Sequence, residues 1–221
     1  MNDRQLKSVA VVNGGTSDPS TTAMLAGQIG EALVKLSENS ALELELRSVE
    51  LKPLAQDIMA ALVTRHVSFE LQQALDILRD ADGLIVSTPV YKAGPSGLFS
   101  SFFQILDNDL LIGTPVVLAG TAGSARHGLV VDDQLRGLFA YMRTITVPTG
   151  VFAAPEDWQD RELPRRAERA AGELLAFLQA DLRSTIRGEN WKGYQHSYGS
   201  AGGTELDIEF DSELMRLATG G

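Results

Sequence analysis

Cysteine is absent from the 221 residues. That excludes a disulfide scaffold, a zinc ribbon, iron–sulfur ligation and thiol catalysis together. Histidine occurs three times, at His66, His127 and His196, too scattered for a local metal box without thiolates to assist. Basic residues are in the minority, with 19 Lys and Arg against 29 Asp and Glu and a formal net charge of −10. A nucleic-acid surface needs phosphate-neutralising cations, and an anionic membrane surface needs the same, so neither partner is expected. Long apolar runs are also missing. The longest, Leu110–Gly120, is too short to cross a bilayer and is interrupted by Gly113 and Pro115. The N-terminal Met-Asn-Asp-Arg-Gln-Leu-Lys has no apolar signal core, so the expected location is the cytoplasm.

What is present alternates between two kinds of segment. Ser8–Val12, Gly83–Ser87 and Pro115–Ala119 are short β-branched runs without polar alternation, the pattern of strands buried on both faces. Leu42-Glu-Leu-Glu-Leu46 alternates strictly, as an edge strand does. Ile145-Thr-Val147, broken by Pro148 and resuming at Val151-Phe152, is a weaker fifth strand. Helical stripes separate them: Leu25, Ile29, Leu33 and Leu36; Leu71, Leu75 and Leu78; Phe99, Phe103 and Leu106 with Phe102 beside them; Val131, Leu135, Leu138 and Met142. A last helix is predicted over 161–184, its seam running from Leu163 to Leu182. Five strands alternating with five helices imply right-handed crossovers and a three-layer αβα sandwich around a five-stranded parallel sheet. The expected domain is 1–184. Residues 185–221 change character, with glycines interleaved among Trp191, Tyr194 and Tyr198 and then Leu206, Ile208 and Phe210 alternating with acids. They read as a Gly- and aromatic-rich arm packed on its own domain or a neighbouring subunit.

Such sheets bind ligands at the carboxyl ends of their strands, where the strand order reverses. Three loops lie there. The first, Asn13–Thr22, has two glycines for a tight turn and the hydroxyls of Thr16, Ser17, Ser20, Thr21 and Thr22 at a helix start. Capping needs one hydroxyl, and this many, with free amides and a positive dipole end, suits a phosphate monoester. No Walker A lysine follows and Gly-x-Gly-x-x-Gly is absent. The second loop, Ser87–Gly97, is stiffened by Pro89 and Pro95 and offers Val90, Tyr91, Lys92, Ala93 and Gly94 to a flat heterocycle. It is no nucleophile elbow, because Leu98 stands where Gly must follow Ser96. The third, Gly120–His127, is rich in small residues, and a planar ring can lie against Thr121, Ala122, Gly123 and Ser124. His127 is expected at the edge of this site, and His66 on the surface.

Thr88-Pro-Val-Tyr-Lys-Ala-Gly-Pro-Ser-Gly97, the Ser/Thr-rich first loop and Thr121-Ala-Gly-Ser-Ala-Arg-His127 together resemble the NAD(P)H-dependent FMN reductases of flavodoxin-like fold. The likeness runs from about Val9 to Phe152. It is strongest to the reductases paired with luciferase-like and alkanesulfonate monooxygenases. The resemblance implies that Thr16, Ser17, Ser20, Thr21 and Thr22 hold the FMN phosphate. It places Pro89, Val90, Tyr91, Lys92, Ala93 and Gly94 along the isoalloxazine and ribityl chain, with Thr121, Ala122, Gly123 and Ser124 beside the ring. It implies hydride transfer from NADH or NADPH to FMN with no catalytic side chain and no metal, a partner monooxygenase, and a homodimer or homotetramer. Two readings stay beside it: a reductase of quinones, azo dyes or metal oxyanions that keeps its FMN, and a non-catalytic electron carrier. Many relatives place Arg where this chain has Ser17, and the alkanesulfonate type places Tyr where it has Asp133. Phosphate binding here then rests on hydroxyls and amides.

Overall fold

The computed structural model describes residues 4–188. Seven strands and seven α-helices follow in chain order: β1 Gln5–Asn13, α1 Thr21–Ser37, β2 Leu42–Glu50, α2 Ala55–Thr64, α3 Phe69–Asp80, β3 Gly83–Tyr91, β4 Gly94–Pro95, α4 Gly97–Gln104, β5 Pro115–Thr121, α5 Arg136–Tyr141, β6 Ile145–Thr146, β7 Val151–Ala153, α6 Glu162–Gln179 and α7 Leu182–Arg187. The main sheet is ordered β2-β1-β3-β5-β6, with β7 also paired to β5, and these pairings are all parallel. With β6 and β7 counted as one interrupted strand and the two-residue β4 set aside, this is the doubly wound order 2-1-3-4-5. The break covers residues 147–150 and contains Pro148, which was expected to interrupt the fifth strand.

Side chains alternate across the sheet with period two. Val9 and Val11 of β1, Ile85 of β3 and Val117 of β5 pack under α1 and α6. Ala10, Val12, Leu84, Val86, Val116 and Leu118 face the layer of α2 to α5. Because both faces are covered, β5 is buried throughout and β3 from Gly83 to Val90, which is why those strands read as unbroken apolar runs. On one side Ala167, Ala170 and Ala171 of α6 have the short side chains that let α1 approach. On the other, Phe99, Phe103 and Phe139 form a cluster with ring centroids 4.7 and 4.9 Å apart, which seats α4 beneath the second loop.

Two differences from expectation have local causes. Helix α2 was not foreseen because only Ile58 and Ala61 face inward, while Met59 and Val63 stand in solvent and blur the stripe. The long last helix ends at Gln179 rather than continuing to 184. Asp181 turns into the left-handed region at φ 47° and accepts a 2.7 Å hydrogen bond from the buried Lys7 ammonium. Leu182 therefore leaves the α6 seam and starts α7, which runs past residue 184 to Arg187. The arm expected at 185–221 lies almost wholly outside the described residues.

Candidate active site

Strand register brings the loops together. Asn13 of β1 pairs with Ser87 of β3, Pro89 of β3 with Thr121 of β5, and Thr121 with Ala153 of β7. The carboxyl ends of four strands thus form one continuous lip.

The first loop is held from below. Asn13 Oδ1 accepts from Gly15 N at 2.9 Å, while its Nδ2 donates to Glu50 Oε2 at 2.7 Å. Gly14 N donates to Ser87 O at 2.8 Å. Gly15 has no room for a side chain: a Cβ there would lie 2.1 Å from Ser20 Oγ and 3.0 Å from Asn13 Oδ1. Ser20 is the N-cap of α1, its hydroxyl accepting from Ala23 N at 3.1 Å. The buried Thr22 Oγ1 meets Thr121 Oγ1 at 2.8 Å, and Ser87 Oγ donates to Thr22 O at 3.1 Å. Two of the five hydroxyls are therefore engaged in joining loops and capping the helix. Thr16, Ser17 and Thr21 stay exposed. The amides of Thr21 and Thr22, in the first turn of α1, have no intrahelical acceptor.

The second loop is a hairpin rather than an irregular connection. β3 continues to Tyr91, and β4 returns antiparallel with Tyr91 opposite Gly94. Lys92 and Ala93 form the turn with φ of 52° and 62°, the paired left-handed geometry of a tight hairpin. Thr88 Oγ1 accepts from Ser96 N at 3.1 Å, and Ser96 Oγ caps α4 by accepting from Phe99 N at 3.2 Å. Ser96 is thus structural. In the third loop Ala122 N donates to Ala153 O at 3.1 Å, tying it to β7.

These elements enclose a cavity of about 490 Å³. Of the expected residues, Thr16, Ser17, Thr21 and Thr22 line it from the first loop, Pro89, Val90 and Tyr91 from the second, and Thr121, Ala122 and Gly123 from the third. Ser20, Lys92, Ala93, Gly94 and Ser124 do not. Ser20 is turned inward as the cap, and Lys92, Ala93 and Gly94 form the turn beyond the lip. A fourth wall went unforeseen: Ala153 at the end of β7, then Pro155 and the half-buried Trp158 on the short 3₁₀ turn that follows. Asp157 braces that turn by accepting from Ala154 N at 2.7 Å and from Arg166 at 2.9 Å. The signal was available, since β7 ends at the same lip as the other strands. His127 is half-buried on the third loop and His66 is exposed between α2 and α3.

Among the described residues, no carboxylate, imidazole, ammonium or guanidinium lines the cavity. The donor set is hydroxyls and amides at a helix start with a Cβ-free cradle at Gly15, beside an apolar slot and two aromatic rings. That set fits a phosphate monoester attached to a planar heterocycle.

Comparison with known proteins agrees. The family described as NADPH-dependent FMN reductase matches residues 8–159. This chain belongs to that family. It is an NAD(P)H-dependent FMN reductase, using FMN and a nicotinamide nucleotide. The NADH-dependent FMN reductase SfnF of Pseudomonas fluorescens (strain Pf0-1) is 38% identical over 182 residues, covering 82% of this chain and 94% of that protein. An FMN reductase (NADPH) of Pseudomonas aeruginosa is 38% identical over 174 residues, covering 79% and 91%. Among solved structures, an oxidoreductase from Corynebacterium diphtheriae superposes with TM-score 0.77 at 44% identity, covering 80% of this chain and 98% of its own. Flavodoxin 1 from Bacillus cereus, at 16% identity and TM-score 0.51 over 76% of this chain and 97% of its own, shares the fold.

Proposed function

We propose that the cavity at the β1, β3, β5 and β7 ends is the FMN site, and that FMN passes through it as an exchangeable substrate destined for a partner monooxygenase. Thr16, Ser17, Thr21 and the first-turn amides of α1 would hold the phosphate. Pro89, Val90, Tyr91, Ala122, Gly123 and Trp158 would line the ring. When bound, FMN supplies the acceptor position, N5, for the hydride that the nicotinamide releases from C4. The protein's task is then to hold two rings at reacting distance and exclude water, which requires no proton donor or base.

The observation carrying this reading is the uncharged cradle. A phosphate dianion there accepts charge-assisted hydrogen bonds from hydroxyls and amides but meets no cationic side chain to form an ion pair, which favours exchange over retention. Reduced FMN released to solvent is useful only to an enzyme that consumes it, and the sequence resembles reductases paired with monooxygenases. A second copy of the chain, in a homodimer or homotetramer, would cover the open side where Tyr91 is 56% exposed.

The test is a visible spectrum of the purified protein together with NAD(P)H oxidation in the presence and absence of FMN. Colourless protein whose turnover requires added FMN supports the proposal. Yellow protein indifferent to added FMN overturns exchange and favours a reductase that retains its flavin.

A further inference from the structure

Between the third loop and α5 lies one wide turn, Val131–Leu135, in which the amide of Arg136 reaches back five residues to Val131 O. Such π turns shift every later side chain around the helix axis relative to an α-helix, and they are costly enough to need support. Here both ends are pinned. Val131 is buried between two glycines: a Cβ on Gly120 would lie 3.2 Å from its Cγ2, and one on Gly150 2.8 Å from its Cγ1. Arg136 donates to Asp132 Oδ1 at 2.6 Å, Val147 O at 2.9 Å and Pro148 O at 2.6 Å, fixing the other end to the break between β6 and β7.

Gln134 sits inside this turn and is exposed, yet its Nε2 donates to Ala93 O at 2.6 Å. Its Oε1 occupies the space beside Gly94, 3.2 Å from where a Cβ would stand. Ala93 and Lys92 are the two residues holding the hairpin in the left-handed region, neither of them the glycine or asparagine that adopts it easily. Beyond those residues the same hairpin carries Val90 and Tyr91 along the cavity.

We infer that Gln134 is a positioning residue: the π turn aims its amide at a strained hairpin, and that one hydrogen bond sets where the Pro89–Tyr91 wall stands. The inference rests on the cavity being the FMN site. Its structural half can be tested without any ligand.

The experiment compares wild type with Gln134→Glu, which keeps the shape but replaces the donor with an acceptor facing Ala93 O. It also includes Ala93→Gly and the double variant. Hydrogen exchange of the peptide spanning 89–96 in ligand-free protein reads the clamp. FMN titration and the KM-against-kcat split read its consequence. Gln134→Glu is expected to speed exchange of that peptide and to weaken FMN binding about three- to tenfold, the effect of one lost hydrogen bond, with KM for FMN rising more than kcat falls. Ala93→Gly relieves the strain that the clamp opposes, so the double variant is expected to recover most of the affinity. Unchanged exchange in Gln134→Glu would overturn the clamp. Faster exchange with unchanged FMN affinity would overturn its role at the site, and so would a double variant no better than Gln134→Glu. If wild type binds no FMN, the site assignment falls while exchange still decides the clamp.

Discussion

Gly15→Ala should damage this protein at a single point. The added Cβ would lie 2.1 Å from Ser20 Oγ, 3.0 Å from Asn13 Oδ1 and 3.1 Å from Thr22 Cβ, so something must move. If Ser20 rotates away, α1 loses its cap, at about 1 kcal/mol. If the loop shifts instead, the bond from Gly15 N to Asn13 Oδ1 is lost, at about 1 kcal/mol, and forced repacking adds about 1–3 kcal/mol. Urea unfolding of the ligand-free protein should show a loss of about 1 kcal/mol if Ser20 rotates and about 2–4 kcal/mol if the loop shifts. The phosphate hydroxyls shift with the loop, and two charged hydrogen bonds at about 1.5 kcal/mol each correspond to an FMN affinity weaker by about a hundredfold. Two comparisons isolate the cause. Gly27→Ala, on the same helix with nothing within 4 Å, should stabilise by about 0.5–1 kcal/mol. Ser20→Gly opens the space while keeping a tolerated cap residue, and should restore much of what Gly15→Ala loses. A Gly15→Ala protein with wild-type stability and affinity would refute the account of the first loop.

Thr22→Val leaves Thr121 Oγ1 buried without a partner and should cost about 1–3 kcal/mol; adding Thr121→Val should recover part of it, and additive losses in urea unfolding would deny the pairing. Trp158 lines the cavity and the only other tryptophan is Trp191, so FMN should quench Trp158 emission and Trp158→Phe should remove most of that quenching. Lys7, buried at the opposite end of the sheet, donates to Asp181 at 2.7 Å and to Asp82 at 3.2 Å. Burial alone would lower its pKa, but the bonds to Asp181 and Asp82 outweigh that and hold it above 10.5, while Lys7 holds Asp181 below the ordinary carboxylate range. The Asp181 contribution is present above its unfolded pKa and lost as pH falls through the lowered value. The Lys7 contribution is present below 10.5 and lost as pH rises through the raised one. Lys7→Met should cost about 1–3 kcal/mol near neutrality, discounted for the partly exposed carboxylates, and converge with wild type at both extremes; parallel stability profiles across pH would contradict this.

Much of the architecture could be read from residue order because burial on two faces leaves a simple signature. Gly83–Ser87 and Pro115–Ala119 had to be apolar on alternate residues in both directions, and Leu42–Leu46 only in one. The same logic failed for α2, where Met59 and Val63 face solvent, and for the end of α6, where an ion pair with Lys7, 174 residues away, decides that Asp181 turns. At the site, hydroxyl density pointed to a loop that lines the cavity but could not divide the labour within it. Thr22 is committed to Thr121, 99 residues distant, and Ser20 to its own helix. Both are matters of where side chains point, which composition does not carry. Trp158 was missed because β7 is three residues long and the 3₁₀ turn after it has only Pro155 and the indole among polar residues. The hairpin at Lys92–Ala93 was hidden for a related reason, since neither residue is a habitual left-handed one.

Whether the lip formed by β1, β3, β5 and β7 receives FMN can be seen in a crystal structure of the protein soaked with FMN. Phosphate density is expected against Thr16, Ser17 and Thr21 at the start of α1, with the ring between Tyr91, Ala122 and Trp158. Flavin density elsewhere would contradict it, for instance in the cavity of about 410 Å³ between α1 and β2 that is lined by Gly27, Gly30, Val34 and Leu46.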